Sequence, residues 1–247
     1  MSQEKVSVIL KEKKPLSVDK FIGVTMFDEL FFVKNNTLYK QTANELFSYQ
    51  NVLLGDVERV EILNPLQTSI FYKEFNTYVQ LDKKLGEINK IDFNEVINFS
   101  AISYAAITSN KRLWIFDTNN LQLQVYNPQQ NRIEASTNPI QQDIIAFYSN
   151  YNFCWVLTAT QLLQYNVYGY KLNTYSLKEF EKIEYYMNNI FLQKGNELFV
   201  MHVTESLPKL VSQLEIPIKD FSVTNETLYI YTGKELYSFA INLKQTE

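Results

Sequence analysis

Six short apolar runs, each with an aromatic residue in second place, recur along the chain at intervals of 36 to 43 residues. They are Leu30-Phe31-Phe32-Val33, Ile70-Phe71-Tyr72-Lys73, Leu113-Trp114-Ile115-Phe116, Cys154-Trp155-Val156-Leu157, Ile190-Phe191-Leu192-Gln193 and Leu228-Tyr229-Ile230-Tyr231. A period in this range marks a repeat architecture, in which each unit is too small to bury its own hydrophobic face and must stack on its neighbours. The period constrains the fold. It leaves the biochemical role open.

Each run reads as a strand, rich in β-branched and aromatic residues and bounded by turn formers. A polar turn follows, as at Asn35-Asn36, Phe75-Asn76, Gly195-Asn196 and Gly233-Lys234, and Asn and Gly suit the positive φ angles of tight hairpins. A second strand comes after each turn, for example Thr37-Leu38-Tyr39 and Glu235-Leu236-Tyr237. A preceding strand is expected at residues 21–27, 57–63, 97–104, 144–148, 183–187 and 218–223, and a fourth strand in five units, at 45–49, 87–91, 132–135, 171–175 and 210–214. The sixth unit has no fourth strand, whereas Val6-Ser7-Val8-Ile9-Leu10 is a strand that belongs to no unit. Six four-stranded antiparallel units with an orphan strand at one end and a vacancy at the other resemble the six-bladed β-propeller superfamily across essentially the whole chain. The fold class that this resemblance implies is all-β, a single propeller domain over 1–247. Its blades would lie near 20–56, 57–95, 96–142, 143–178, 179–216 and 217–247, the last completed by strand 6–10. The recurring aromatics would then pack blade on blade. Helix content should be low, since residues 178–184 alone have helical composition and also read as a polar connection into a strand.

With 46% hydrophobic residues the bulk of the chain should fold. A net charge of −4 speaks against nucleic acid as a partner, because phosphate binding needs a concentrated positive field. The single cysteine, Cys154, precludes an intramolecular disulfide and sits in an apolar run, where it reads as a small buried hydrophobe. No stretch approaches the ~20 apolar residues of a membrane helix, so direct membrane insertion is not expected. The first residues lack the apolar segment of a leader peptide. That leaves a cytoplasmic chain or a mature exported one. The abundance of Asn, Lys, Ile and Tyr with only 6 Gly and 6 Pro resembles Bacteroidetes proteins, and the Ser-Gln-Glu-Lys opening resembles the mature ends of exported ones. A periplasmic or exported location is what this resemblance implies.

Residues with chemistry are sparse. His202 is the only histidine, which removes multi-histidine zinc centres, and it lies in a strand-like run without a G-x-S-x-G context. Asp28, Asp56, Asp82, Asp117, Asp143 and Asp220 fall at strand ends or turns, where Asp is a normal turn former. No phosphate-binding glycine loop is present. Catalytic, cofactor-binding and metal-ligating residues are therefore assigned as none, and no cofactor is expected. Lys11-Glu12-Lys13-Lys14 reads as a solvated connection after the orphan strand. The Tyr-rich fourth unit is the most suggestive cluster, because Tyr168-Gly169-Tyr170 falls at a turn and Tyr is enriched at interface hot spots. Tyr151, Tyr168 and Tyr170 are accordingly candidate partner contacts. Asn127 and Gln129, in the longer third unit, join them.

These features point first to a non-catalytic protein–protein interaction module. Under the Bacteroidetes resemblance its setting would be an accessory subunit of an outer-membrane machine, such as the type IX secretion system or the outer-membrane protein assembly complex. The alternatives are a propeller that binds or cleaves glycans at its central channel, and a cytoplasmic scaffold. The channel decides between classes: a group of His202, Arg and carboxylates there favours the ligand reading, and an apolar or uncharged channel removes it.

Overall fold

A computed structural model describes residues 6–96, 101–212 and 214–243. The chain opens with β1 (Val8–Pro15). Blade 1 follows as β2 (Lys20–Val24), β3 (Leu30–Lys34), β4 (Thr37–Gln41) and β5 (Leu46–Tyr49), and blade 2 as β6 (Arg59–Asn64), β7 (Gln67–Tyr72), β8 (Thr77–Asp82) and β9 (Glu87–Asp92). Blade 3 is β10 (Ile102–Ile107), β11 (Leu113–Asp117), β12 (Gln122–Asn127) and β13 (Arg132–Ser136). Blade 4 is β14 (Ile144–Ser149), β15 (Phe153–Thr158), β16 (Gln161–Asn166) and β17 (Lys171–Ser176). Blade 5 is β18 (Lys182–Tyr186), β19 (Asn189–Lys194), β20 (Glu197–His202) and β21 (Lys209–Leu210), and blade 6 is β22 (Asp220–Thr224), β23 (Thr227–Tyr231) and β24 (Glu235–Ile241). Five sheets are antiparallel meanders in chain order; the sixth has the order β1-β24-β23-β22. The chain is an all-β, six-bladed propeller whose N-terminal strand completes the last blade.

The core is divided between the blades. Six hydrophobic clusters lie at the six interfaces of a closed ring: blades 1–2, 2–3, 3–4, 4–5, 5–6 and 6–1. Each recurring aromatic packs toward the blade that follows it. Phe31 meets Ile70 and Tyr72, Phe71 meets Leu113 and Ile115, and Trp114 meets Cys154 and Val156. Trp155 meets Ile190 and Leu192, and Phe191 meets Phe221 and Ile230. All five are almost completely buried, each removing ~150–250 Å² from water. Tyr229 occupies the sixth position half-buried, against Phe21 and Leu30. Buried Tyr231 carries the seam instead: its hydroxyl donates to the Val18 carbonyl at 2.8 Å and accepts from the Val18 amide at 3.1 Å.

Several expectations shift or sharpen. The closing strand runs over Val8–Pro15 rather than 6–10, and pairs with β24 from Val8↔Ile241 to Pro15↔Glu235. The basic run is thus part of the strand and not a connection. An outermost strand is wet on most sides, so a charged edge is tolerated and also discourages pairing with other chains. Lys13 pairs with Glu235 at 2.9 Å, and Lys11 donates to the Thr227 hydroxyl. The fourth strand of blade 5 is only Lys209–Leu210, because Val6 bridges in parallel to Val211, receiving the Ser212 amide and donating to the Leu210 carbonyl. Residues 178–184 are not helical: they are a connection entering β18. The expected first strand at 97–104 starts at Ile102, and positions 97–100 of that expectation lie outside the described residues. At the turns, Asn35 and Asn36 both have positive φ, as the hairpin chemistry requires.

Removal of residues 1–15 deletes the closing strand and should lower the melting temperature sharply in a thermal scan; a truncated chain that melts like the parent would contradict the closure. Tyr231→Phe should cost about 1–3 kcal/mol in denaturant unfolding, because it strands the buried Val18 groups. Trp114→Ala should cost about 3–5 kcal/mol.

Candidate functional site in the axial channel

A ring of six leaves its axis open. The first strands β2, β6, β10, β14, β18 and β22 surround a cavity of about 830 Å³. Every blade has the same strand order, so all six first strands run in the same direction along the axis. Their starting ends bring Asp19, Lys20, Glu58, Arg59, Lys182, Lys219 and Asp220 to one mouth. Their finishing ends bring Met26, Pro65, Tyr186 and Met187 to the other. The first mouth is charged, whereas the second mixes these side chains with the uncharged polar Thr25, Asn150 and Thr224.

Two alternating pairs supply the interior charges. Arg59 and Glu61 stand two apart on β6, and Lys182 and Glu184 two apart on β18, so each pair shares a strand face. Arg59 lies over the Tyr104 ring with its guanidinium carbon 4.7 Å from the centroid, and one of its N–H groups reaches the Phe147 carbonyl at 3.4 Å. Its Nε is buried without a partner. Tyr104 stacks on Phe147 at 4.4 Å and donates to the Ser149 hydroxyl at 2.8 Å. Burial disfavours the Arg59 charge, but the electrostatics of Tyr104, Glu61 and Glu184 more than offset this and raise its pKa.

Glu61 ties blade 2 to blade 3. Its Oε2 accepts the Ile107 amide at 2.7 Å and the Ser69 hydroxyl at 3.3 Å, while Oε1 is buried and unpartnered. Burial pushes its pKa up to about 7, against the opposing pull of Arg59 and of both hydrogen bonds. Glu184, half-buried, is also raised, first by burial and in spite of Lys182 and Arg59. Lys182 forms an ion pair with Asp220 and donates to the Phe221 carbonyl at 3.0 Å. Burial pulls its pKa down to about 8, with Glu184 opposing the fall and Arg59 adding to it. Asp220 stands at a strand end, as expected, as the first residue of β22, and is also a channel residue. Among the described residues no three His, Cys, Asp or Glu side chains gather as metal ligands.

His202 ends β20 away from the channel lining, its Nδ1 2.7 Å from the Thr204 hydroxyl. Cys154 is buried, and burial keeps its thiol protonated by pushing its pKa far up. The five candidate partner contacts separate. Tyr168 and Tyr170 are each 70% exposed and line a second groove of about 640 Å³ with Arg112, Arg132 and Glu134. Gly169 between them has φ +79°, and a Cβ there would meet the Ser136 carbonyl at 2.7 Å, so the Tyr-Gly-Tyr turn is fixed against blade 3. Tyr151, 36% exposed, sits at the β14–β15 turn, its carbonyl accepting from Ser109 and Thr108. Gln129 is exposed. Asn127 is not a surface contact: it is 9% exposed and spends its side chain on Glu134 and on the Gln129 and Gln130 amides. The channel charges escaped sequence reasoning. Their signal was the i, i+2 charge pair inside an otherwise apolar first strand, present at Arg59/Glu61 and again at Lys182/Glu184.

No protein-family model and no curated protein sequence matches the chain. Its fold is shared with solved structures. Virginiamycin B lyase from Staphylococcus aureus is 9% identical, with a TM-score of 0.62 over 94% of this chain and 99% of that one. A chain of the mitotic checkpoint complex is also 9% identical, with a TM-score of 0.63 over 98% and 95%. PorZ, a surface component of the type IX secretion system of Porphyromonas gingivalis, is 14% identical, with a TM-score of 0.52; the match takes in 98% of this chain and 39% of that one. Likeness at these identities is likeness of fold, found alike in a lyase, a multiprotein complex and a secretion-system component.

The raised pKa of Glu61 has a sign that can be measured. A carboxyl at about 7 in the fold and near ~4.3 when unfolded favours the folded state fully below the unfolded value, and that contribution is lost as pH rises through 7. Thermal melts should therefore fall between about pH 5 and pH 8. Glu61→Gln, neutral throughout and still able to accept the Ile107 amide, should reduce the slope in that window, with Glu184 leaving a residual slope of the same sign.

Proposed function

We propose that the protein is a non-catalytic binding propeller that takes a small polar ligand of the glycan class in its axial channel. The observation that carries this is the channel interior, where Arg59 and Glu184 present charge to a cavity large enough for a small ligand. Binding is favoured over catalysis because the carboxyl best poised for proton transfer, Glu61, is committed to Ile107 and Ser69 through one oxygen, and its other oxygen is buried. A glycan array probed with the intact chain, followed by calorimetry of the hits, should give binding that Arg59→Met weakens about tenfold or more. Glycan hits indifferent to that substitution, or none at all, would overturn the reading.

A second reading, an exported protein–protein interaction module, draws on the exposed Tyr168-Gly169-Tyr170 turn and its flanking groove. Exposed, rigid tyrosines beside arginines are the composition of interface hot spots. The likeness to PorZ supports a setting in an outer-membrane machine. No helix among the described residues is long and apolar enough to cross a membrane. On this reading affinity purification from the native organism, after gentle detergent extraction, should recover protein partners that a Tyr168→Ala/Tyr170→Ala double variant loses. Recovery of the monomer alone would count against it.

A further inference from the structure

Blades 2 and 5 stand on opposite sides of a six-membered ring, and each places one unpaired charge in the channel. Arg59, always cationic, is held face-on over Tyr104 and meets no carboxylate within ion-pair distance among the described residues. Glu184 makes no side-chain hydrogen bond or ion pair among them. Each feels the other electrostatically without touching it. Of the other channel cations, Lys182 is occupied by Asp220 and the Phe221 carbonyl, Lys20 by the Val57 carbonyl at 2.5 Å, and Lys219 lies over the Tyr231 ring at 5.7 Å, at the mouth.

Partly buried charges left without partners are costly, and an opposite charge on a ligand relieves that cost. A simple anion in this cavity would gain Arg59 and be repelled by Glu184. A simple cation would meet the reverse. A neutral saccharide would offer hydroxyls to both but match neither charge, and charge-assisted hydrogen bonds are about twice as strong as neutral ones. We infer that Arg59 and Glu184 form a two-point clamp across the axis for a small zwitterion, with the ligand carboxylate on Arg59 and its ammonium on Glu184. This rests on the channel being the binding site, as read above, and departs from that reading in ligand class: if only a free amino acid binds, the clamp stands and the glycan assignment falls. A free amino acid and an amino-sugar acid share the required chemistry.

The test is calorimetric titration of the intact chain with a ruler of zwitterions, namely glycine, 4-aminobutyrate and 6-aminohexanoate, with muramic acid as the sugar-borne equivalent. Butyrate, butylamine and maltose serve as the singly charged and neutral controls. One zwitterion should bind about tenfold or more tighter than all three controls. Tightest binding by a member of the ruler assigns a free amino acid, and by muramic acid a saccharide. Glu184→Gln, on the channel wall, should weaken that zwitterion about tenfold or more and improve butyrate relative to it. Arg59→Met should do the converse with butylamine; because Arg59 also packs on Tyr104, Glu184→Gln alone decides if Arg59→Met does not fold. Equal binding of butyrate or butylamine, or no effect of Glu184→Gln, overturns the clamp. If maltose or an array glycan binds while the zwitterions do not, the clamp falls and the channel reading stands. If no probe and no glycan binds, both fall.

Discussion

Everything in this molecule depends on the closure of one seam. Five blades form from consecutive sequence, but the sixth needs a strand from the other end of the chain, and β1 supplies it against β24. In an open stack the two terminal blades would each show a hydrophobic face to water; closing the ring turns those faces into the cluster of Val18, Phe21, Leu30 and Tyr231. The Tyr231 hydroxyl fixes the register of that closure, since it satisfies both backbone groups of Val18 just where the chain leaves β1 for blade 1. The parallel bridge of Val6 to Val211 extends the same clasp onto blade 5.

Closure creates the channel and sets its character. Six inward strands cannot touch across the axis, so the space between them is either filled by large side chains or left for solvent and ligands. Here it holds Arg59, Glu184 and the Lys182–Asp220 pair, with an uncharged mouth at Met26 and Met187. Glu61 lies where the two roles meet. It anchors the Ile107 amide of the next blade and faces the channel charges, so its ionisation couples the blade 2–blade 3 interface to the electrostatics of the cavity.

Residues whose role repeats are the ones legible in the sequence. Phe31, Phe71, Trp114, Trp155 and Phe191 announce the blades because each performs the same burial at the same place in its unit. Tyr229 follows the pattern in sequence but is only half-buried, since Tyr231, two residues on and on the same strand face, takes the seam. The first strands were legible to within a few residues for the same reason. β1 was legible in its apolar half only: the charged half, Lys11 to Lys14, has the composition of a loop, and only its pairing with β24 makes it a strand. Asn127 looked like a free turn amide because sequence does not show that Glu134 lies beside it. The channel was the least legible part. Arg59 and Glu184 are 125 residues apart and belong to different blades, and nothing local marks them as facing one another.

The unpaired charges are tolerable because the fold keeps stability and recognition in different places. The dry contacts that hold the ring together lie between blades, in six separate clusters, and each charged residue of the axis borders at most two of them. A buried charge in a single-core protein would sit within the packing that every element shares, and its cost would be borne by the whole fold. In a propeller the cost is confined to the one or two interfaces that the charge borders. Arg59 and Glu184 can thus remain unsatisfied toward the cavity while Trp114, Trp155 and Phe191 stay sealed a strand away. That division of labour is why the residues that reveal the fold and the residues that face the channel are not the same residues.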